Sequence, residues 1–104
     1  MIVDDYFYTS WGYDQTNIDF ITIVKVNPSG KTVTCRMCHK IKVGETLSTN
    51  AIIPGISYGE IFAMRVQGQN LRGFYPFCNS DKRLDTFYPA GHGVEFETKF
   101  GFGH

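Results

Sequence analysis

The stretch Ile18-Asp19-Phe20-Ile21-Thr22-Ile23-Val24-Lys25-Val26 decides the fold. Its side chains split with period two: Ile18, Phe20, Thr22, Val24 and Val26 on one side, Asp19, Ile21, Ile23 and Lys25 on the other. β-Branched residues dominate, and they pack well on a pleated surface. Both sides carry apolar residues in the middle, which predicts a central strand.

Working outward, Asn27-Pro28-Ser29-Gly30 concentrates turn formers, so the chain reverses there. Alternation resumes from Thr32 to Val43, with Val33, Cys35, Met37, His39, Ile41 and Val43 on one face and Thr34, Arg36, Cys38, Lys40 and Lys42 on the other. These two runs predict a hairpin. Gly44 to Tyr58 is irregular and reads as a long loop with room for a short helical turn. Glu60 to Val66 is a third strand, Gly68-Gln69-Asn70 a turn, and Leu71 to Phe77 its partner. Asn79 to Gly91 mixes turn residues with Leu84, Phe87 and Tyr88 and reads as a crossing over the barrel end. Val94, Phe96, Thr98, Phe100 and Phe102 alternate with Glu95, Glu97 and Lys99 as a last strand, an exposed edge on which a second copy could pair. Upstream, Asp5 to Tyr8 reads as a short first edge strand.

No window shows a helical apolar period, and there is no internal repeat. At 104 residues the chain makes one domain, 1–104, able to remove roughly two-thirds of its extended surface from water. The expected fold is all-β: one small antiparallel barrel or strongly curved sheet of five to six strands, of the SH3-like or OB-like size class. Fifteen per cent aromatic residues and eleven glycines suit short strands and tight turns.

Ten basic and ten acidic residues cancel, so the whole-molecule field gives no strong sequence-independent grip on phosphate. The first residues, Met1-Ile2-Val3-Asp4-Asp5, do not read as a secretory signal, and no apolar run approaches the ~20 residues that span a bilayer. The expectation is a cytoplasmic protein whose three cysteines stay reduced.

Four constellations carry chemical options. The first is Thr9 to Phe20, which holds the only Trp. Read structurally, Asp14, Thr16 and Asn17 satisfy loop backbone groups while Trp11 and Tyr13 plug a barrel end. Read functionally, Trp11 and Tyr13 form a rigid amphipathic contact with Asp14, Gln15, Asn17 and Asp19 as convergent polar groups for a partner. The second is Cys35-Arg36-Met37-Cys38-His39, which matches the spacing of c-type haem attachment and opens like a zinc site. In a continuous strand, however, residues three apart face opposite ways, placing Cys35 inside and Cys38 outside as a surface thiol. Zinc requires a break at Arg36-Met37 that lets Cys35 and Cys38 join Cys78 and one of His39, His92 or His104.

The third is a basic strand face, Arg36, Lys40 and Lys42, with Arg65, Arg72, Lys82 and Arg83 elsewhere and many aromatic rings for stacking on single-stranded nucleic acid. The fourth is catalysis, drawn from Cys78 with His92, or from Ser10 with Asp14 and a histidine. No nucleophile signature, phosphate loop or dinucleotide fingerprint accompanies either, so a non-enzymatic protein without cofactor is expected.

The run Ser10-Trp11-Gly12-Tyr13-Asp14-Gln15-Thr16-Asn17-Ile18-Asp19-Phe20 resembles the opening signature of a family of small uncharacterised proteins carried by phages and other mobile elements. The likeness is strong from Tyr6 to Thr34, through the Gly30-Lys31 turn, and loose over Arg65-Val66 and Leu71 to Phe77. The Cys35 to His39 segment departs from it. What the resemblance implies is a stoichiometric binder that blocks a host protein, such as restriction or CRISPR machinery, acting in the host cell by analogy of context.

Overall fold

The computed structural model describes residues 1–12, 15–78, 81–90 and 95–98, with the side chains of 77, 78 and 81 left aside. Its strands are β1 (Tyr6–Trp11), β2 (Asn17–Val26), β3 (Thr32–Glu45), β4 (Thr49–Gln67), β5 (Asn70–Cys78), β6 (Asp81–Pro89) and β7 (Glu95–Thr98). Each strand from β1 to β6 pairs antiparallel with its neighbour in sequence, and β6 closes on β1 through Phe7↔Pro89 and Tyr8↔Tyr88. The result is a six-stranded meander barrel with β7 added on β4. Closure leaves those six strands without a free edge where they pair. Among the described residues no helix is long and apolar enough to cross a membrane.

The β2–β3 hairpin forms as its alternation predicts, with Asn27 N–H donating to Thr32 O and Gly30 N–H to Asn27 O. The β4–β5 turn falls at Gly68, whose φ of 61° suits glycine.

Four expectations need correction. Gly44 to Tyr58 is not a loop: β3 runs on to Glu45, and β4 starts at Thr49 and pairs with it along a two-stranded arm. Register shifts at Cys35/Met37, Cys38/Lys40 and Lys42/Gly44 scramble the period-two pattern there, and Pro54 opposite Lys40 sits inside one of them. Asn79 to Gly91 is not a crossing, because Asp81–Pro89 is strand β6. Its face toward the barrel carries Arg83 and Asp85 ahead of Phe87, and charges pairing at a barrel mouth do not read as an apolar stripe. The expected edge strand from Asp5 to Tyr8 is not an edge: its Tyr6 to Tyr8 part lies in β1, which is flanked by β2 and β6. Cys38, expected on the surface, is buried.

The reason for the last lies in two separate cores. Inside the barrel pack Phe7, Ile21, Ile23, Val33, Cys35, Met37, Met64, Leu71, Tyr75 and Phe87, so every barrel strand contributes. Against the outer face of β1–β3 lies a second cluster of Ile18, Phe20, Cys38, Ile52 and Ala90, with Tyr8 packed on it. The β4 arm and β7 cover this cluster: Ile52 comes from the arm, and β7 pairs with Thr49–Ile52. β2 is therefore apolar on both sides because it has a core on both sides.

Candidate functional site: the polar mouth of the barrel

Along the inward face of β2 the residues run Ile23, Ile21, Asp19, from the barrel interior toward one end. The polar group sits at the mouth, where water and other polar side chains reach it. Asp19 Oδ2 accepts the indole Nε1–H of Trp11 at 2.8 Å and the phenol of Tyr75 at 3.0 Å. Lys40 Nζ lies 3.9 Å from Asp19 Oδ1 and 3.0 Å from Glu97 Oε2, which also accepts Ile18 N–H at 3.2 Å. One carboxylate thus ties β1, β2, β3 and β5 together, and Lys40 extends the tie to β7. Charge-assisted bonds of this kind are stronger than neutral ones, and a network whose members are satisfied holds a single geometry.

Burial of Tyr75, followed by the charge and hydrogen bond of Asp19, pushes its phenol well above the ordinary value of 10.0. Its ring meets Phe87 edge-on at 4.8 Å, which joins the mouth to the apolar core. The Arg83 guanidinium lies 5.5 Å from the centre of the Trp11 ring and pairs with Asp85 at 3.3 Å. Trp11 is half-buried with its polar edge engaged by Asp19.

Next to Trp11 the chain turns at Gly12 with φ 127°. A Cβ there would collide with the Gln15 carbonyl oxygen, a backbone atom, so only glycine fits. Asn17 Nδ2 donates to Trp11 O at 3.4 Å, and Gln15 Nε2 donates to Asn17 Oδ1 at 3.4 Å. Gly12→Ala is expected to destabilise by about 2 kcal/mol from the forbidden φ and the forced shift together. Urea unfolding at matched buffer checks it, and an unchanged midpoint contradicts the stated geometry.

Of the residues singled out from sequence as a partner contact, Trp11, Gln15, Asn17 and Asp19 do gather at this mouth. Tyr13 and Asp14 lie outside the described residues. Asp19 and Asn17 act mainly within the protein, while Gln15 is exposed and Trp11 keeps part of its ring accessible. Tyr75, Arg83, Lys40 and Glu97 complete the cluster. Sequence reasoning did not assign them to it, since they come from four other strands and carry no motif.

The basic trio is spoken for within the fold. Arg36 Nε donates to Gly59 O at 3.0 Å, Lys40 is held by Glu97 and Asp19, and Lys42 pairs with Glu45 at 3.3 Å. The cysteine set does not converge. Cys35 belongs to the inner core and Cys38 to the outer one, and His39 stacks on Tyr58 at 4.2 Å. Among the described residues no three of His, Cys, Asp and Glu gather in a way that would hold a metal ion. Cys78 has its backbone in β5, and His92 and His104 lie outside the described residues.

Burial pushes the Cys35 thiol up to about 12, with a smaller push from Cys38, and burial lifts Cys38 to about 11 against the opposing charge of Arg36. Neither thiol is poised as a nucleophile or a ligand, since thiolate is the reactive form. Both are expected to escape iodoacetamide in the native state at neutral pH and to react once urea is added, as peptide mapping reads directly. The same shifts set an alkaline limit. Folded values above the ordinary 9.0 of the thiols and 10.0 of Tyr75 mean stability is fully present below about pH 9 and drains as pH rises toward the folded values. A melting temperature that stays flat from pH 8 to about pH 11 contradicts this.

Comparison of the chain with protein-family models, with curated proteins and with solved structures found no match, so the reading of this mouth rests on its own geometry.

Proposed function

We propose that this protein is a non-enzymatic binder that attaches to a host protein through the rim around Trp11, and that it belongs to the phage-type inhibitors of host defence, acting in the bacterial cytoplasm. The observation that supports partner binding is the state of Trp11. Its indole is half-buried, its N–H is held by Asp19, and Arg83 lies over its ring. A ring already fixed loses little freedom on contact, which is why Trp and Arg recur as hot spots in interfaces. Exposed Gln15 stands beside it as an adaptable polar contact. The inhibitor part of the reading is supported by the signature from Ser10 to Phe20.

The test is capture from bacterial lysate with wild type, Trp11→Phe and Gln15→Arg, each shown to fold by circular dichroism. A stoichiometric host protein should remain bound from about 50 mM to about 200 mM salt, because an aromatic-centred interface depends weakly on salt. Gln15→Arg should release it, and wild type should raise phage plating on a defended host. A partner that both variants retain, or that salt alone strips away, defeats the rim as the contact.

A further inference from the structure

A second surface carries chemistry that the mouth does not use. On the outer face of the barrel the register places Thr32 opposite Arg65, Arg65 opposite Arg72, and Arg72 opposite Thr86, so one row crosses β3, β4, β5 and β6. Two residues along β5 the next pair is Phe74 with Leu84, and two further on Pro76 faces Lys82. Side chains two apart share a face, so Arg72, Phe74 and the Lys82 position follow one another down the sheet. A shallow depression of about 680 Å³ runs along this face, lined among others by Ile61, Arg65, Arg72, Phe74, Lys82 and Leu84.

Four features of this face need an explanation. Like charges directly opposite on paired strands repel, yet Arg65 and Arg72 stand opposite each other, and among the described residues no carboxylate lines the depression. Among the described residues neither Arg65, Arg72 nor Lys82 enters an ion pair, whereas Lys40, Lys42 and Arg83 all do. Arg72 is oriented by a 2.7 Å hydrogen bond from its Nη1 to Thr86 Oγ1, so its guanidinium is held at the surface. Beside these cations Phe74 is 59% exposed and Leu84 45% exposed, in the middle of the face. In a chain of zero net charge, cations gathered around an exposed ring, with no acid among the described lining residues, make a patch complementary to a ligand that alternates anionic and flat apolar groups.

We propose that the outer face of β4–β6 binds single-stranded nucleic acid, with Arg65 and Arg72 on a phosphate, Phe74 stacked on a base, and Lys82 meeting the backbone at the far end. An open sheet face with basic groups flanking an aromatic ring is how sequence-tolerant single-strand binders work: cations follow the backbone while bases stack. A duplex hides its base faces, and an acidic peptide offers the charge without the flat ring. This surface is independent of the Trp11 rim, so the two proposals stand or fall separately.

The experiment is fluorescence anisotropy of the full chain with fluorescein-labelled DNA and RNA strands about ten nucleotides long. The same titrations are run with a duplex of that length and with an acidic peptide of equal charge. Single strands should bind more tightly than both controls, and affinity should fall steeply with salt. Phe74→Ala, an exposed position that leaves the core intact, should weaken binding about tenfold while keeping the salt slope. Arg65→Gln and Arg72→Gln should each weaken binding and flatten that slope. Thermal melts establish that each variant is folded, and the Trp11→Phe variant should bind strands as wild type does. No binding at about 50 mM salt overturns the proposal. So does binding indifferent to Phe74→Ala and Arg72→Gln. Equal affinity for the duplex removes the stacking role, and equal affinity for the acidic peptide reassigns the face to protein recognition.

Discussion

Replacing Asp19 by alanine is expected to cost about 3 kcal/mol, seen as a drop of roughly 12 °C in melting temperature for a domain of this size. The carboxylate is the shared acceptor for the Trp11 indole and the Tyr75 phenol, and its side chain is only 15% exposed. With it gone, the Tyr75 hydroxyl and the Trp11 indole both lose a charged acceptor beside an apolar core, and hydrogen bonds to charged groups contribute more than neutral ones. Lys40 keeps Glu97, so the damage centres on Trp11 and Tyr75. Asp19→Asn should fall between, because an amide oxygen in the place of Oδ2 still accepts from both donors but without the charge, while its NH₂ takes the side that faces Lys40. A double-mutant cycle isolates the coupling: Tyr75→Phe should cost much less in the Asp19→Ala background than in wild type. A loss below about 1 kcal/mol for Asp19→Ala would mean that the mouth is an ordinary solvated surface.

Phe20→Ala is expected to cost about 4 kcal/mol. Phe20 is wholly buried, in the outer cluster with Ile18, Cys38, Ile52 and Ala90. That cluster lies between the barrel wall and the covering arm, so the cavity cannot collapse without moving the arm. The loss should therefore show its location. In hydrogen exchange, amides of Thr49–Ile52 and of β7 should lose protection more than those of the β5–β6 pair, because the outer cluster is what fixes the arm to the barrel. Ile23→Val, in the inner core, should cost about 1 kcal/mol and leave the arm protected. If Phe20→Ala instead opens the whole barrel uniformly, the two cores form one cooperative unit and the arm is not a separable cover.

How far these features can be read from the chain depends on where each constraint sits. The β2–β3 and β4–β5 hairpins are legible because their determinants are local: alternation on both sides of Asn27-Pro28-Ser29-Gly30 and of Gly68-Gln69. β6 is not, since Arg83 and Asp85 face the barrel mouth and form an ion pair there. The long arm is not either, because three register shifts in β3–β4 break the period on which strand recognition depends. The role of Asp19 is half legible. Its place in the Trp11 to Phe20 stretch marks it as polar in an apolar run, but its Tyr75 partner lies 56 residues away and nothing in either segment announces the other.

By itself, then, the chain determined an all-β fold, a β2 apolar on both sides and an aromatic, amide-rich corner at its start, because period two and turn chemistry act over a few residues. Only the tertiary structure decided that β6 closes the barrel on β1, that Cys38 lies under a second core, and that Arg65 and Arg72 stand opposite each other on an outer face. Pairing between distant strands sets those neighbours, and the free energy that selects it comes from burying two apolar faces at once, a quantity no single stretch of residues contains.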